Sequence, residues 1–381
     1  MDRGPLMAAD QGLVTIRHTL HAAAAPAFQE EKTAAIVQSR LHALGLDVVA
    51  DDVAGHGVLA RMGSGSPRVL LRCDMDALPF AEATGLKHAA TNGAHHACGH
   101  DGHMAMLLGA LERLAADPPC EVWALFQPAE ETGEGMQRCL QHPAFPSDFE
   151  HVFAIHNVPG HPLGTVLVRD GVAAVASTGV RFSFHGETSH AAEPTAGRNP
   201  IPAVARLVPL LERASEDGDD QAVAALVQLS GGGPRFGTSA GDALVAATLR
   251  AGSDEALAHM LAPVLEAAQE EAKKGGFRLD VERVEPFPAT RNDPATVQLV
   301  RDAAAKCGLE VRDPGVFPWS EDFGHATARW PGALIGLGSG TDQPALHRPD
   351  YDFPDALLPI GVDLWVAVVE AVGETMGEAV A

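Results

Sequence analysis

The sequence predicts an α/β chain carrying an inserted α+β domain, and three observations support that reading. Short, continuously apolar runs alternate with helically spaced segments in the first part of the chain. Near Ser177 the texture changes to alternating apolar and polar residues, and near Pro288 it reverts. Strands covered on both faces read as unbroken apolar runs, whereas strands with one wet face alternate.

Taken in order, Pro26 to Leu46 reads as an amphipathic helix, with Ile36, Leu41 and Leu44 on one side and Gly45 near its stop. Buried strands are expected at Val69–Leu71, Val122–Phe126 and Val152–Ile155, with a helix over Gly102–Ala115 between the first two. Such alternation indicates an α/β sandwich. Beyond Ser177, Val180, Phe182 and Phe184 alternate as a half-exposed strand. A helix over Ile201–Arg213 follows, then extended runs Val223–Leu229 and Ala243–Leu249, a helix over Asp254–Lys274 bent at Pro263, and a strand through Phe277, Leu279 and Val281. Strand-helix-strand-strand-helix-strand is the split βαβ arrangement. The chain therefore divides into residues 1–175, 176–287 and 288–381, the last ending with buried-looking Ala333–Leu337 and a C-terminal helix.

Composition bounds the function. The 381 residues are 46% hydrophobic and 20% charged, enough for a large core in two domains. A formal net charge of −23 argues against nucleic acid or an anionic membrane as partner. No apolar run approaches the roughly 20 residues that span a bilayer, and the opening MDRGPLMAADQ lacks a signal core. Five scattered cysteines are not a disulfide framework. A cytoplasmic globular protein is expected.

The ionisable residues follow the buried strands. Val69–Leu71 runs into Asp74 and Asp76, Val122–Phe126 into Glu130 and Glu131, and Val152–Ile155 into His156, while Leu334–Leu337 is followed by Asp342 and His347. In open α/β sheets, ligands bind beyond the carboxyl ends of the strands. The stretch HHACGHDGH (95–103) adds Cys98 and His100 before a helix, making with the carboxylates a donor set for a first-row transition metal. Singly, Glu130-Glu131 reads as a solvated face, His156 and His347 as structural histidines, and Asp101 as a helix cap. Their joint placement after buried strands, where unpaired charge is costly, points to a bound cation.

The motifs LLRCDMDALPF (70–80), HACGHDGH (96–103), FQPAEETGEG (126–135), AIHNVPG (154–160), HGETSHAAEP (185–194), WSEDFG (319–324) and LHRPDYDFPD (346–355) resemble the amidohydrolase branch of metallopeptidase family 20, over nearly the whole chain. The resemblance implies a metal-dependent exopeptidase-type α/β/α catalytic domain interrupted by a ferredoxin-like α+β lid. It implies two divalent transition-metal ions (zinc, manganese, cobalt or nickel) held by Cys98, His100, Glu131, His156 and His347. Glu130 would be general base and acid, Asp76 a support for a ligand histidine, and His190 a donor to the oxyanion, in dimeric relatives across the subunit interface. A two-metal site lowers the pKa of water and polarises an amide carbonyl, while a carboxylate such as Glu130 carries the proton to the leaving amine. The expected substrate is an N-acyl amino acid or short peptide-like amide, and a homodimer through the lid is expected.

The sequence departs from the family pattern at two lid positions. Gly237 stands where relatives usually carry an asparagine that helps bind the substrate carboxylate, and Thr195 where many have histidine. Arg198 or Arg235 is a candidate compensating cation, since guanidinium suits carboxylate. Two competing readings stand beside the deacylase: a dipeptidase or carboxypeptidase of the same family, and a binding homologue without turnover.

Overall fold

The structure, a computed structural model, describes residues 8–216 and 220–379. Residues 1–7, part of the segment read above as lacking a signal core, lie outside the described residues. The chain forms two compact units. One comprises the chain up to Ala173, Thr290–Gly315 and the chain from Asp322; the other comprises Ala174–Ala289 and Val316–Glu321. The short segment Val316–Glu321 thus groups with the second unit, whereas the sequence reading left it with residues 288–381.

The principal elements in chain order are α1 (Ala8–Ala22), α2 (Glu31–Ala43), β1 (Asp47–Val53), β2 (Gly57–Met62), β3 (Arg68–Asp74), α3 (His100–Leu114), β4 (Glu121–Gln127), β5 (His151–Val158), β6 (Ala176–His185), α4 (Ile201–Arg213), β7 (Val223–Gly231), β8 (Asp242–Ala251), α5 (Asp254–Gly275), β9 (Arg278–Phe287), α6 (Pro294–Lys306), β10 (Gly332–Gly338) and α7 (Leu358–Ala379).

In the first unit an eight-stranded sheet runs β1-β2-β4-β3-β5-β10 and ends in the two-residue strands Val166–Leu167 and Val311–Arg312. Strands β4, β3, β5 and β10 are parallel, with Asp74 opposite Gln127 and Gly336 opposite His156. That register aligns their carboxyl ends. β4 and β10 are buried along their whole length, as unbroken apolar runs require. Helix α3 packs on β3, α6 on β10, and α7 against both α3 and α6. Phe126, Phe153, Leu107 and Trp365 are fully or almost fully buried in one apolar cluster.

The second unit has the order β6-α4-β7-β8-α5-β9 and a wholly antiparallel sheet β9-β6-β8-β7. This is the ferredoxin-like split βαβ topology. Phe182 and Phe184 of β6 alternate with half-exposed residues and pack with Leu207 of α4 and Leu261 of α5. Helix α5 is bounded by its own chemistry: the Ser253 hydroxyl accepts from the Ala256 N–H at 3.1 Å, and Gly276 turns left-handed at φ 63°.

Two expectations need correction. The helix expected over Pro26–Leu46 is α2 and begins at Glu31 instead of Pro26, because Phe28 is left-handed at φ 62° and the buried Glu30 carboxylate accepts from the Phe28 and Ala129 N–H groups. Further, Asp355–Thr375, mostly within α7, is long and apolar enough by length and composition to cross a bilayer, contrary to the earlier reading. Yet 72% of that stretch is buried within the protein, as in a core helix. The hairpin β1–β2 was not read, because aspartates interrupt DVVADDV on the edge of the sheet.

Candidate metal centre

The centre is assembled by three chain turns and strand β5, at the carboxyl ends of β3, β4, β5 and β10. Helix α3 starts at His100 immediately after Gly99, which is left-handed at φ 89°. A Cβ there would lie 2.3 Å from Asn157 Oδ1, so only glycine lets Cys98 and His100 flank the turn. Strand β4 leads into a second left-handed residue, Ala129 at φ 55°, which starts the short 3₁₀ turn bearing Glu130 and Glu131. His156 sits within β5 itself. His347 is left-handed at φ 64°, and its N–H donates to the Ala97 carbonyl at 2.9 Å, tying it to the Cys98 loop.

These turns bring the donor atoms together. One donor atom each from Cys98, His100 and His156 lies within 4.8 Å of the others, and the same holds for Cys98, Glu131 and His347, and for His100, Glu130 and Glu131. Cys98 Sγ is 3.4 Å from His156 Nε2, and Glu131 Oε1 is 3.5 Å from His347 Nε2 and 3.9 Å from His100 Nε2. Overlapping triads that share Cys98 form a donor set for two neighbouring cations.

The surroundings orient these groups. His100 Nδ1 donates to the Asp76 carbonyl at 2.9 Å, and His156 Nδ1 to the Asn157 carbonyl at 2.8 Å, which makes Nε2 the basic nitrogen of each ring. Asp76 Oδ2 accepts from the Glu131 N–H at 3.0 Å, so one aspartate steadies both a histidine and a glutamate. His100 Nε2 and Glu131 Oε1 are buried atoms without a hydrogen-bond partner among the described residues, which is costly unless a cation meets them.

The electrostatics favour positive charge. Burial disfavours a charged His100, yet Asp74, Asp76 and Glu131 outweigh it and push its pKa up to about 10. Burial likewise opposes the Glu131 charge, but His347 and His100 hold its pKa below the usual carboxylate value. His156 is driven well below the usual histidine value by burial and by the neighbouring His103, and so offers a neutral ring. These donors suit borderline transition metals. His347 is 52% exposed, so the cluster opens on that side.

Sequence reasoning missed what lies beneath. Arg72, 1% exposed, donates to Asp74 at 2.8 Å, to Gln127 at 2.8 Å and to Asp322 at 2.9 Å. Asp322 also accepts from Gln127 and from the Met136 N–H, while its own N–H donates to Glu130 Oε1 at 3.3 Å. Thus Asp322 positions the general-base candidate. The signal was present: an arginine inside the apolar run LLRCD must find buried carboxylates. His103 contacts Asp74 at 2.6 Å and receives the Asn157 N–H at 3.1 Å, holding β3, α3 and β5 together.

The remaining named residues lie in the second unit. His190 is exposed, bridges to Thr238, and its Nδ1 accepts from the Ala192 N–H at 3.1 Å. The Gly237 carbonyl accepts from the Ala191 N–H at 3.0 Å, so the Gly237 turn supports the His190 loop; space around Gly237 is open to a side chain. Arg198 is paired with Glu187 at 2.6 Å, which neutralises it, whereas Arg235 lines a cleft of about 510 Å³ with Thr238 and Ser239. Thr195 is exposed in a 3₁₀ turn.

Gly99→Ala is expected to weaken metal binding roughly 10–100-fold, the range for disturbing groups that orient ligands. Chelator competition measures it, and wild-type affinity would mean that the turn tolerates a side chain.

A family model described as peptidase family M20/M25/M40 matches residues 70–371. An N-acetyldiaminopimelate deacetylase of Exiguobacterium sibiricum is 28% identical over 92% of this chain and 96% of its own length. An N-acetyl-L-cysteine deacetylase of Bacillus subtilis is 28% identical over 92% of this chain and 85% of its own. The solved structure of Bacillus subtilis YXEP, described as a dinuclear metal binding peptidase from the M20 family, superposes with a TM-score of 0.82 at 24% identity, covering 97% of this chain and 99% of that one.

Proposed function

The chain belongs to peptidase family M20/M25/M40, and from that premise we propose that it is a metal-dependent amidohydrolase that removes the acyl group from N-acylated amino acids. The observation that carries this reading is the pair of donor triads sharing Cys98, joined through His100 and Glu131 to a third that contains the Glu130 carboxylate. Two divalent transition-metal ions held by Cys98, His100, Glu131, His156 and His347 would lower the pKa of a water toward neutrality and polarise the amide carbonyl. Glu130 takes the proton from the attacking water and delivers it to the amine, which leaves neutral. Asp322 holds Glu130 through its N–H, and Asp76 holds His100 and Glu131. His190 is the proposed donor to the developing oxyanion. Of the two arginines, Arg235 is the better carboxylate partner, because Arg198 already has Glu187.

The deacetylase names of the two relatives support the acyl-amino-acid class. Hydrolysis of a panel of N-acetyl and N-benzoyl amino acids beside free dipeptides tests it. Faster turnover of the acylated amino acids is expected; preferential cleavage of dipeptides would replace this reading with a peptidase. The proposal includes a cytoplasmic location, supported by Cys98 among the metal donors, a thiol that must stay reduced to act as a ligand.

The proposal also includes a homodimer through β7, an edge of its sheet with Val223, Val227 and Leu229 50%, 67% and 59% exposed. Such an edge offers unpaired backbone groups and apolar surface to a second copy. The opposite edge, β9, is instead studded with Arg278, Asp280, Glu282, Arg283 and Glu285. Light scattering is expected to give a dimer for the wild type and a monomer for Val227→Lys/Leu229→Lys; a double variant that stays dimeric would move the interface elsewhere.

A further inference from the structure

We infer that the first unit has a separate site for a divalent transition-metal ion, built by His21, Glu82 and His95. These residues share no member with the centre described above. His21 comes from α1, Glu82 from the loop after β3, and His95 from the segment leading to the Cys98 turn. One donor atom from each lies within 4.8 Å of the others, and the side chains of His21 and Glu82 are 0% and 1% exposed.

The surroundings leave each ring ready to donate. His21 Nδ1 is 2.8 Å from Asp101 Oδ2, and that carboxylate accepts the Nδ1 proton, leaving Nε2 to face Glu82 Oε2 at 3.0 Å. Ligands on a tetrahedral ion with bonds near 2.0 Å stand about 3.3 Å apart, so the pair needs little movement to admit one. His95 Nε2 donates to the Tyr351 carbonyl at 3.0 Å, which fixes the tautomer. His95 Nδ1 then carries a lone pair, is buried, and has no hydrogen-bond partner among the described residues. A buried lone pair without a donor beside a histidine–carboxylate pair is explained by a cation.

The charge around the cluster agrees. Glu82, Asp101, Asp352 and Asp355 are linked through His21 and Arg17: three of these carboxylates face the Arg17 guanidinium, and Glu82 faces only His21. In the metal-free protein, a proton on His21 Nε2 fills the gap to Glu82. Binding the ion releases that proton to solvent, and the ion takes over the lone pairs of His21 and His95 together with a Glu82 oxygen. Residues 81–87, which carry Glu82, are largely exposed.

The test counts zinc. Full-length wild type and His95→Met are saturated with zinc chloride, desalted, and analysed for zinc by mass spectrometry. The wild type is expected to retain one equivalent per chain more than His95→Met, while amide hydrolysis by the variant stays within about twofold. A zinc-edge anomalous difference map of zinc-soaked wild-type crystals checks the position without any variant, with a peak expected among His21, Glu82 and His95. Equal zinc content in the two proteins, or a map without that peak, overturns the inference.

Discussion

Glu130→Gln is expected to lower turnover of an N-acylated amino acid roughly 10²–10⁴-fold, the contribution typical of a positioned general acid–base. The substitution keeps the size and the acceptor oxygen that meets the Asp322 N–H, so the 3₁₀ turn at Glu130–Thr132 retains its support. It removes only the ability to take and return a proton. Metal content should therefore match the wild type, because Cys98, His100, Glu131, His156 and His347 are untouched. Steady-state kinetics beside metal analysis separates the outcomes: lost turnover with metal retained assigns the proton transfer to Glu130. Turnover within tenfold of wild type would assign that role to another group.

Asp322→Ala is expected to destabilise the first unit by about 3–5 kcal/mol, the cost of stranding a buried charge by removing its partner. Asp322 is fully buried and accepts from Arg72, Gln127 and the Met136 N–H. Without it, Arg72 keeps Asp74 and Gln127 but loses the Asp322 bond at 2.9 Å, and Gln127 and the Met136 N–H lose a buried acceptor. A control sets the scale: Asp148 is 77% exposed and pairs with Arg68 at 2.6 Å, and its replacement by alanine is expected to cost under about 1 kcal/mol. Denaturant titration compares the two. A loss below 1 kcal/mol for Asp322→Ala would mean that the Arg72 network is not what holds the floor of the centre.

Much of this architecture is legible in the sequence because buried parallel strands announce themselves as unbroken apolar runs. Val122–Phe126 and Leu334–Leu337 are examples, and the residues that follow them lie beyond the carboxyl ends of the parallel strands. The alternation of Phe182 and Phe184 is legible for the opposite reason, since β6 buries one face. The start of α2 was misplaced because the left-handed Phe28 and the inward turn of Glu30 depend on a contact with Ala129, about a hundred positions away. The same holds for Asp322. Its place under Glu130 comes from strand order, which local spacing does not encode. Conversely, His190 and Gly237 were named from motifs alone, and their association through the Ala191–Gly237 hydrogen bond follows from loop geometry that periodicity could not supply.

The most direct test of the central claim is amine release from an N-acetyl amino acid by protein stripped with a chelator and then reconstituted with zinc, manganese, cobalt or nickel. Activity that vanishes on stripping and returns with a divalent ion, alongside at least two tightly held ions per chain, is the predicted result. A stripped protein that keeps full activity, or a chain that binds no ion at Cys98, His100, Glu131, His156 and His347, would contradict the account.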